Sequence, residues 1–129
     1  PSEIVTSDLT AQGAAITATL LYAVPAGGQG MYRVSWVATV TTAATTSSTL
    51  GGANGFQVQF TSPTDSVVKT SNPTTTTAFT SSGNTTATTV SGSFLVFAKL
   101  STNINYLFDY TSVGVTAMLY ELHIKLEAL

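Results

Sequence analysis

The sequence predicts an all-β protein, an antiparallel β-sandwich of jelly-roll-like form with seven or eight strands. Segments in which apolar and polar residues alternate recur along the chain, and this period of two is typical of strands with one buried face. Threonine and serine are abundant while only 8% of the 129 residues are charged, and β-branched threonine favours strands over helices. No segment of ten residues has the spacing of an amphipathic helix. The length is that of one domain.

The predicted strands are separated by turns rich in proline, glycine and serine. They cover residues 14–24, 31–42, 56–60, 67–70, 87–100, 104–110 and 118–127. The strand at 31–42 places Tyr32, Val34, Trp36, Ala38 and Val40 on one face, which predicts a core face. Two stretches, 43–55 and 71–84, are predicted loops, the second with a short edge strand about Phe79.

The last strand has the clearest alternation. Its core face is predicted to hold Met118, Tyr120, Leu122, Ile124 and Leu126. The opposite face mixes apolar and charged groups and includes the one histidine. We therefore expect Leu119, Glu121 and His123 to contact another subunit.

The first thirteen residues have mixed polarity and no sustained period. We expect them to form an N-terminal arm, residues 1–13, that precedes a single sandwich domain, residues 14–129, and that becomes ordered against a partner. The residues expected to dock the arm on that partner are Pro1, Ser2, Glu3, Ile4 and Val5.

The N-terminal region carries neither a signal peptide nor a membrane span in its pattern. The apolar stretch 14–24 is interrupted by Thr17 and Thr19 and follows acidic rather than basic residues. Pro1 is what remains when an initiator methionine is removed before a small residue. These features predict a complete product of the cytoplasm with no membrane partner.

Charge and cysteine content argue against two further classes of site. The net charge is -2 and the four lysine and arginine residues are scattered, whereas phosphate binding requires clustered cations, so no nucleic acid partner is expected. The absence of cysteine rules out disulfides and thiolate metal sites. No cofactor and no metal is predicted.

Groups capable of acid–base catalysis are few: one histidine and six carboxylates. His123 lies between Glu121 and Lys125 on one strand face, and as a general base it would need a serine and an orienting carboxylate from elsewhere in the fold. The carboxylates that a glycan-degrading enzyme would have to pair, Asp65, Asp109, Glu121 and Glu127, form no recognisable motif. The sequence therefore predicts a protein that is not an enzyme.

Four segments resemble a family of small structural proteins of tailed bacteriophages. They are GMYRVSWVATVTTAATTSSTLGG at 30–52, GNTTAT at 83–88, YLFDYTSVG at 106–114 and MLYELHIKLEAL at 118–129. The resemblance extends over nearly all of the chain after Gly13. It implies a compact jelly roll, trimeric, of the kind used for capsid decoration and fibre tips.

The function expected from this resemblance is that of a capsid decoration (cement) protein of the virion. A homotrimer would bind the assembled major capsid protein shell from outside and stabilise it by non-covalent contacts, after synthesis in the host bacterial cytoplasm. A surface with few charges suits such contacts, because buried ions are costly to desolvate. The alternative is a receptor-binding tip of a tail or head fibre, whose loops would contact a host surface glycan or protein.

Overall fold

A computed structural model describes residues 2–71 and 80–129, and all regular secondary structure in these ranges is β. None of the described residues forms a helix able to cross a membrane. The strands are β1 (Ser2–Gln12), β2 (Ile16–Ala23), β3 (Gly30–Thr42), β4 (Thr49–Leu50), β5 (Phe56–Thr61), β6 (Val68–Thr70), β7 (Ser81–Ser82), β8 (Thr89–Ala98), β9 (Asn103–Phe108), β10 (Tyr110–Thr111) and β11 (Leu119–Ala128).

Eight of these strands form two four-stranded antiparallel sheets. The front sheet has the order β1-β11-β3-β8, and the back sheet has the order β2-β9-β5-β6. The pairing is nested, since β1 pairs with β11, β2 with β9, β3 with β8 and β5 with β6. This is the order obtained when a long antiparallel ribbon is rolled into two sheets, and it gives the jelly-roll sandwich.

The described residues form eleven strands, more than the seven or eight predicted, because β1 and three two-residue strands were not expected. The two-residue strands form an end sheet of order β10-β4-β7. β4 and β7 lie within the predicted loops 43–55 and 71–84, because two residues are too few to show a period. The short edge strand expected about Phe79 lies outside the described residues.

The predicted core faces are confirmed. Alternate residues of β3 from Tyr32 to Val40, and Met118 followed by alternate residues of β11, are all buried. Aromatic rings join the sheets: Trp36 of the front sheet stacks on Phe56 of the back sheet with ring centroids 4.9 Å apart. The ring centroid of Phe56 also lies 6.2 Å from that of Phe94 on β8. Phe56 therefore packs against two strands of the front sheet, β3 and β8.

The N-terminal segment differs from the expected arm. Ser2–Gln12 forms β1, an edge strand paired with β11 from Ser2 and Ala128 to Gln12 and Tyr120. Register shifts between Glu3 and Val5 and between Leu9 and Gln12 interrupt the pairing. These shifts change which face successive residues occupy, and they explain why the sequence shows no period of two there.

The loop between β4 and β5 is held by one carboxylate. Asp109 Oδ2 accepts hydrogen bonds from the backbone N–H groups of Ala53 and Asn54, at 3.0 and 3.2 Å. Gly52 has a φ of 57° there, and a Cβ at this position would lie 2.8 Å from Asp109 Cγ. Glycine is therefore required both for the backbone angle and for the close approach.

Replacing Phe56 with alanine should lower the free energy of unfolding by about 3 to 5 kcal/mol, because it removes a fully buried ring and leaves a cavity between the sheets. Urea denaturation followed by tryptophan fluorescence would measure the change. Val115→Ala is the matched control, since Val115 is fully exposed and its truncation should change stability by less than about 0.5 kcal/mol. Equal effects of the two substitutions would contradict the assigned core.

Candidate functional site

Ionisable side chains are concentrated on the outer face of the front sheet. Seven of the eleven acidic, basic and histidine residues of the chain lie on β1, β11 and the neighbouring strand β3. They form what we term the charged strip: Glu3, Asp8, Arg33, Glu121, His123, Lys125 and Glu127. The strip follows from the alternation of β11, because the residues between its core positions must face outward.

His123 contacts two carboxylates of the charged strip. The register of β1 against β11 places Asp8 directly opposite His123, and Nδ1 of the histidine lies 2.6 Å from Asp8 Oδ1. Its Nε2 lies 3.8 Å from Glu121 Oε2. The imidazole is thus held between two carboxylates and ties the edge strand β1 to β11.

Two further ion pairs continue the charged strip towards the end of β11. Lys125 Nζ lies 3.4 Å from Glu3 Oε2, and Arg33 Nε lies 3.2 Å from Glu127 Oε1. Thr6 Oγ1 donates a hydrogen bond to Glu3 Oε1. That hydrogen bond and the Lys125 ammonium hold the pKa of the Glu3 carboxyl below its usual range. Pairs as exposed as these contribute little to global stability.

A shallow groove with a volume of about 290 Å³ runs along the charged strip. Its walls include Asp8, Ser35, Val37, His123 and Lys125. Among the described residues no hydrogen bond joins the Ser35 hydroxyl to His123. Nor do the described residues include a cluster of three potential metal ligands.

The other carboxylates that a glycan-degrading enzyme would have to pair lie apart from the groove. Asp109 binds backbone N–H groups of the loop after β4. Asp65 Oδ2 lies 2.8 Å from Lys69 Nζ in the β5–β6 hairpin. The structure therefore does not bring Asp65 and Asp109 together with Glu121 and Glu127 at one place.

The residues predicted for subunit contact share one face, as their spacing requires. Leu119, Glu121 and His123 lie on the outer face of the front sheet and are all half-buried. Leu119 packs close to Gly13 of the same chain, where a Cβ would approach Leu119 Cδ2 to 3.1 Å. A contact of these residues with another subunit stays a prediction.

The residues predicted to dock a partner are placed by β1. Ser2, Glu3, Ile4 and Val5 belong to this edge strand, and Ile4 and Val5 pack against the core. Pro1 lies outside the described residues. Docking by this segment would therefore use the free edge of β1 and its exposed side chains, not a detached arm.

Sequence reasoning missed an apolar patch on the other half of the same face. Met31 and Phe97 are opposite each other on β3 and β8, and with Leu95 they form what we term the apolar patch. These three side chains are 46%, 48% and 59% exposed in the order Met31, Phe97, Leu95. The signal was present in the run 94–98, where apolar residues occupy both faces of the strand instead of alternating with polar ones.

Comparison with known proteins gives no relative to set beside this geometry. No protein-family model, no curated protein and no solved structure matches the chain. The bacteriophage family expected from the sequence segments therefore stays a prediction, and the jelly-roll strand order comes from the structure of this chain alone.

We expect Thr6→Val to raise the pKa of Glu3 towards its ordinary value of 4.5, since the substitution removes the hydrogen bond that lowers it most. The folded-state pKa lies below the unfolded one, so Glu3 stabilises the fold above the unfolded pKa and this contribution disappears as the pH falls through the folded-state pKa. Carboxyl chemical shifts in an NMR titration would measure the pKa of Glu3 in the variant and in the unsubstituted protein.

Asp65 provides the internal control for this titration. Its pKa is lowered by the hydrogen bond from Lys69 in a separate hairpin, so it should be the same in Thr6→Val and in the unsubstituted protein. A Glu3 pKa that does not change in the variant would show that Thr6 is not its donor.

Proposed function

We propose that this chain is a structural protein of a tailed bacteriophage virion, a capsid decoration protein that acts as a homotrimer on the outside of the assembled shell. The observation that carries the assembly role is the apolar patch. Single-chain globular proteins rarely leave neighbouring large apolar side chains half exposed unless another molecule covers them. The jelly-roll order and the resemblance of the four sequence segments support the choice of virion.

The apolar patch suits contact between copies of the chain. It lies beside β8, the free edge of the front sheet, and the other side chains facing outward along β3 and β8 near it are mostly serines. Arg33 of the charged strip is opposite Leu95, and its guanidinium is paired with Glu127. Association here would bury apolar area without desolvating an unpaired ion.

The opposite edge of the front sheet suits contact with the capsid. β1 is the other edge strand of this sheet, and those of its backbone groups that pair with no described residue could bond to a strand of the major capsid protein. The side chains of Glu3 and Asp8 are more than half exposed on it. A contact that spans neighbouring capsid subunits would oppose their separation, since binding to the assembled state stabilises that state.

Replacing Phe97 with glutamate should convert the oligomer into a monomer, because the carboxylate would be buried without a partner in the subunit contact. Sedimentation velocity would measure the assembly, and circular dichroism would verify the fold. Val115→Glu is the matched control, because Val115 is fully exposed on a loop. If Phe97→Glu sediments like the unsubstituted protein, the apolar patch is not the subunit contact.

Deleting residues 1–5 should leave the oligomer intact and abolish binding to capsids, because it removes the end of the free edge while leaving the rest of β1 paired with β11. The measurement is occupancy on capsids that lack the decoration protein, counted by electron microscopy. The full-length chain carrying Glu3→Gln serves as a control for loss of the Lys125 ion pair alone.

Full occupancy by the truncated chain would contradict docking through β1. Binding of the purified chain to host cells and not to capsids would contradict decoration altogether and favour the fibre tip. Copy number per virion separates the same two roles, because a decoration protein is needed on every part of the shell and a tip only at the end of each fibre.

A further inference from the structure

The outer face of the back sheet is a second surface, and its side chains are uncharged where those of the charged strip are ionisable. The pairing register places uncharged side chains on this face. They are Leu20 on β2, Asn103, Asn105 and Leu107 on β9, and Gln57, Gln59 and Thr61 on β5. Lys69 on β6 does not belong to this face, because it is opposite Phe60, which packs against the core. Its ammonium is paired with Asp65.

The amides of this face are brought together across neighbouring strands. Asn105 is opposite Leu20 on one side and Gln59 on the other, and Gln59 is opposite Thr70. This gives a continuous row across all four strands of the back sheet. A hollow with a volume of about 300 Å³ opens beside the row, lined by Gln59, Phe60, Thr61, Val68, Asn103 and Asn105.

One atom in the hollow lacks a partner. Asn105 Oδ1 is buried and accepts no hydrogen bond from the described residues. A buried acceptor without a donor is unfavourable, and most such atoms in folded proteins are satisfied. Because this oxygen has almost no exposed surface, a hydroxyl or N–H donor of a ligand would reach it, and remove the penalty, only when the Asn105 side chain turns towards the hollow.

We propose that this hollow binds one ring of a neutral saccharide. Amide side chains both donate and accept, which matches sugar hydroxyl groups, and Val68, which lines the hollow and is more than half exposed, offers an apolar contact for the C–H face of the ring. The residues described on this face include no charged side chain, which gives no attraction to acidic or phosphorylated ligands. The volume is at the small end of ligand pockets, about 300 to 1,000 Å³, so a single ring fits better than a longer chain.

This inference does not depend on the proposed function, because the hollow and the apolar patch lie on opposite sheets. A decoration protein with such a site could attach particles to the glycan coat around host cells. Failure of one proposal therefore leaves the other standing, and the variants below separate them.

The test uses the full chain and a panel of neutral monosaccharides: glucose, galactose, mannose and N-acetylglucosamine. We expect at least one sugar to shift NMR signals of the side-chain amides of Gln59, Asn103 and Asn105. Asn105→Leu should weaken that binding at least tenfold and leave the unfolding midpoint unchanged or higher, since it removes an unsatisfied acceptor. His123→Ala, on the front sheet, is the matched control and should bind as the unsubstituted protein does.

Three outcomes would overturn the proposal. The first is that none of the sugars shifts these signals, and the second is that the shifts persist unchanged in Asn105→Leu. The third is that the same signals move with protein concentration in the absence of sugar, in which case the face binds a second copy of this chain. Capsid occupancy of Asn105→Leu should equal that of the unsubstituted protein, and Phe97→Glu should retain the sugar-dependent shifts.

Discussion

The contact between Trp36 and Phe56 belongs to the cluster of aromatic rings that joins the two sheets of this protein. Their rings stack at 4.9 Å, and Phe108 approaches Trp36 to 6.1 Å from the back sheet. Burial of large rings supplies much of the stabilisation that a domain of this size can obtain without disulfides. Every strand that contributes a ring to this cluster must keep one face towards the core. The same constraint therefore determines which of its residues face outward.

That constraint sorts the polar residues of the chain between two surfaces. Alternation on β11 forces Glu121, His123 and Lys125 onto the front face, where Asp8 and Glu3 of β1 lie within reach of them. Alternation on β9 and β5 forces Asn105 and Gln59 onto the back face. A chain with few ions thus has one face on which charged side chains pair with one another and another on which hydrogen bonding is carried by neutral amides.

How much the sequence predicts depends on how regular each element is. The core face of β11 follows directly from the strict alternation of Tyr120 with its apolar neighbours, and the structure confirms it. β1 could not be found in this way, because register shifts after Glu3 and Leu9 break its period. The end sheet escaped for a different reason, since strands of two residues leave no pattern.

Neighbouring site residues were predictable from the sequence only where they lie on one strand. Leu119, Glu121 and His123 follow from β11 alone, whereas Asp8 opposite His123 depends on a pairing between residues more than 100 positions apart. The Asn105 row requires the order of four strands and could not be derived from any one segment. The apolar patch was hidden because Leu95 and Phe97 lie among the core residues Phe94 and Val96 in the chain.

The sandwich geometry decides whether assembly and ligand binding can coexist. The outer faces of two packed sheets point in opposite directions, with the core about 10 Å thick between them. Copies that associate through Met31, Leu95 and Phe97 of the front sheet leave the amides of the back sheet in contact with solvent. If copies associated through the back sheet instead, Asn105 would meet another chain and the apolar patch would remain uncovered. Association through the front sheet is therefore the arrangement that covers Met31, Leu95 and Phe97 and keeps the hollow open.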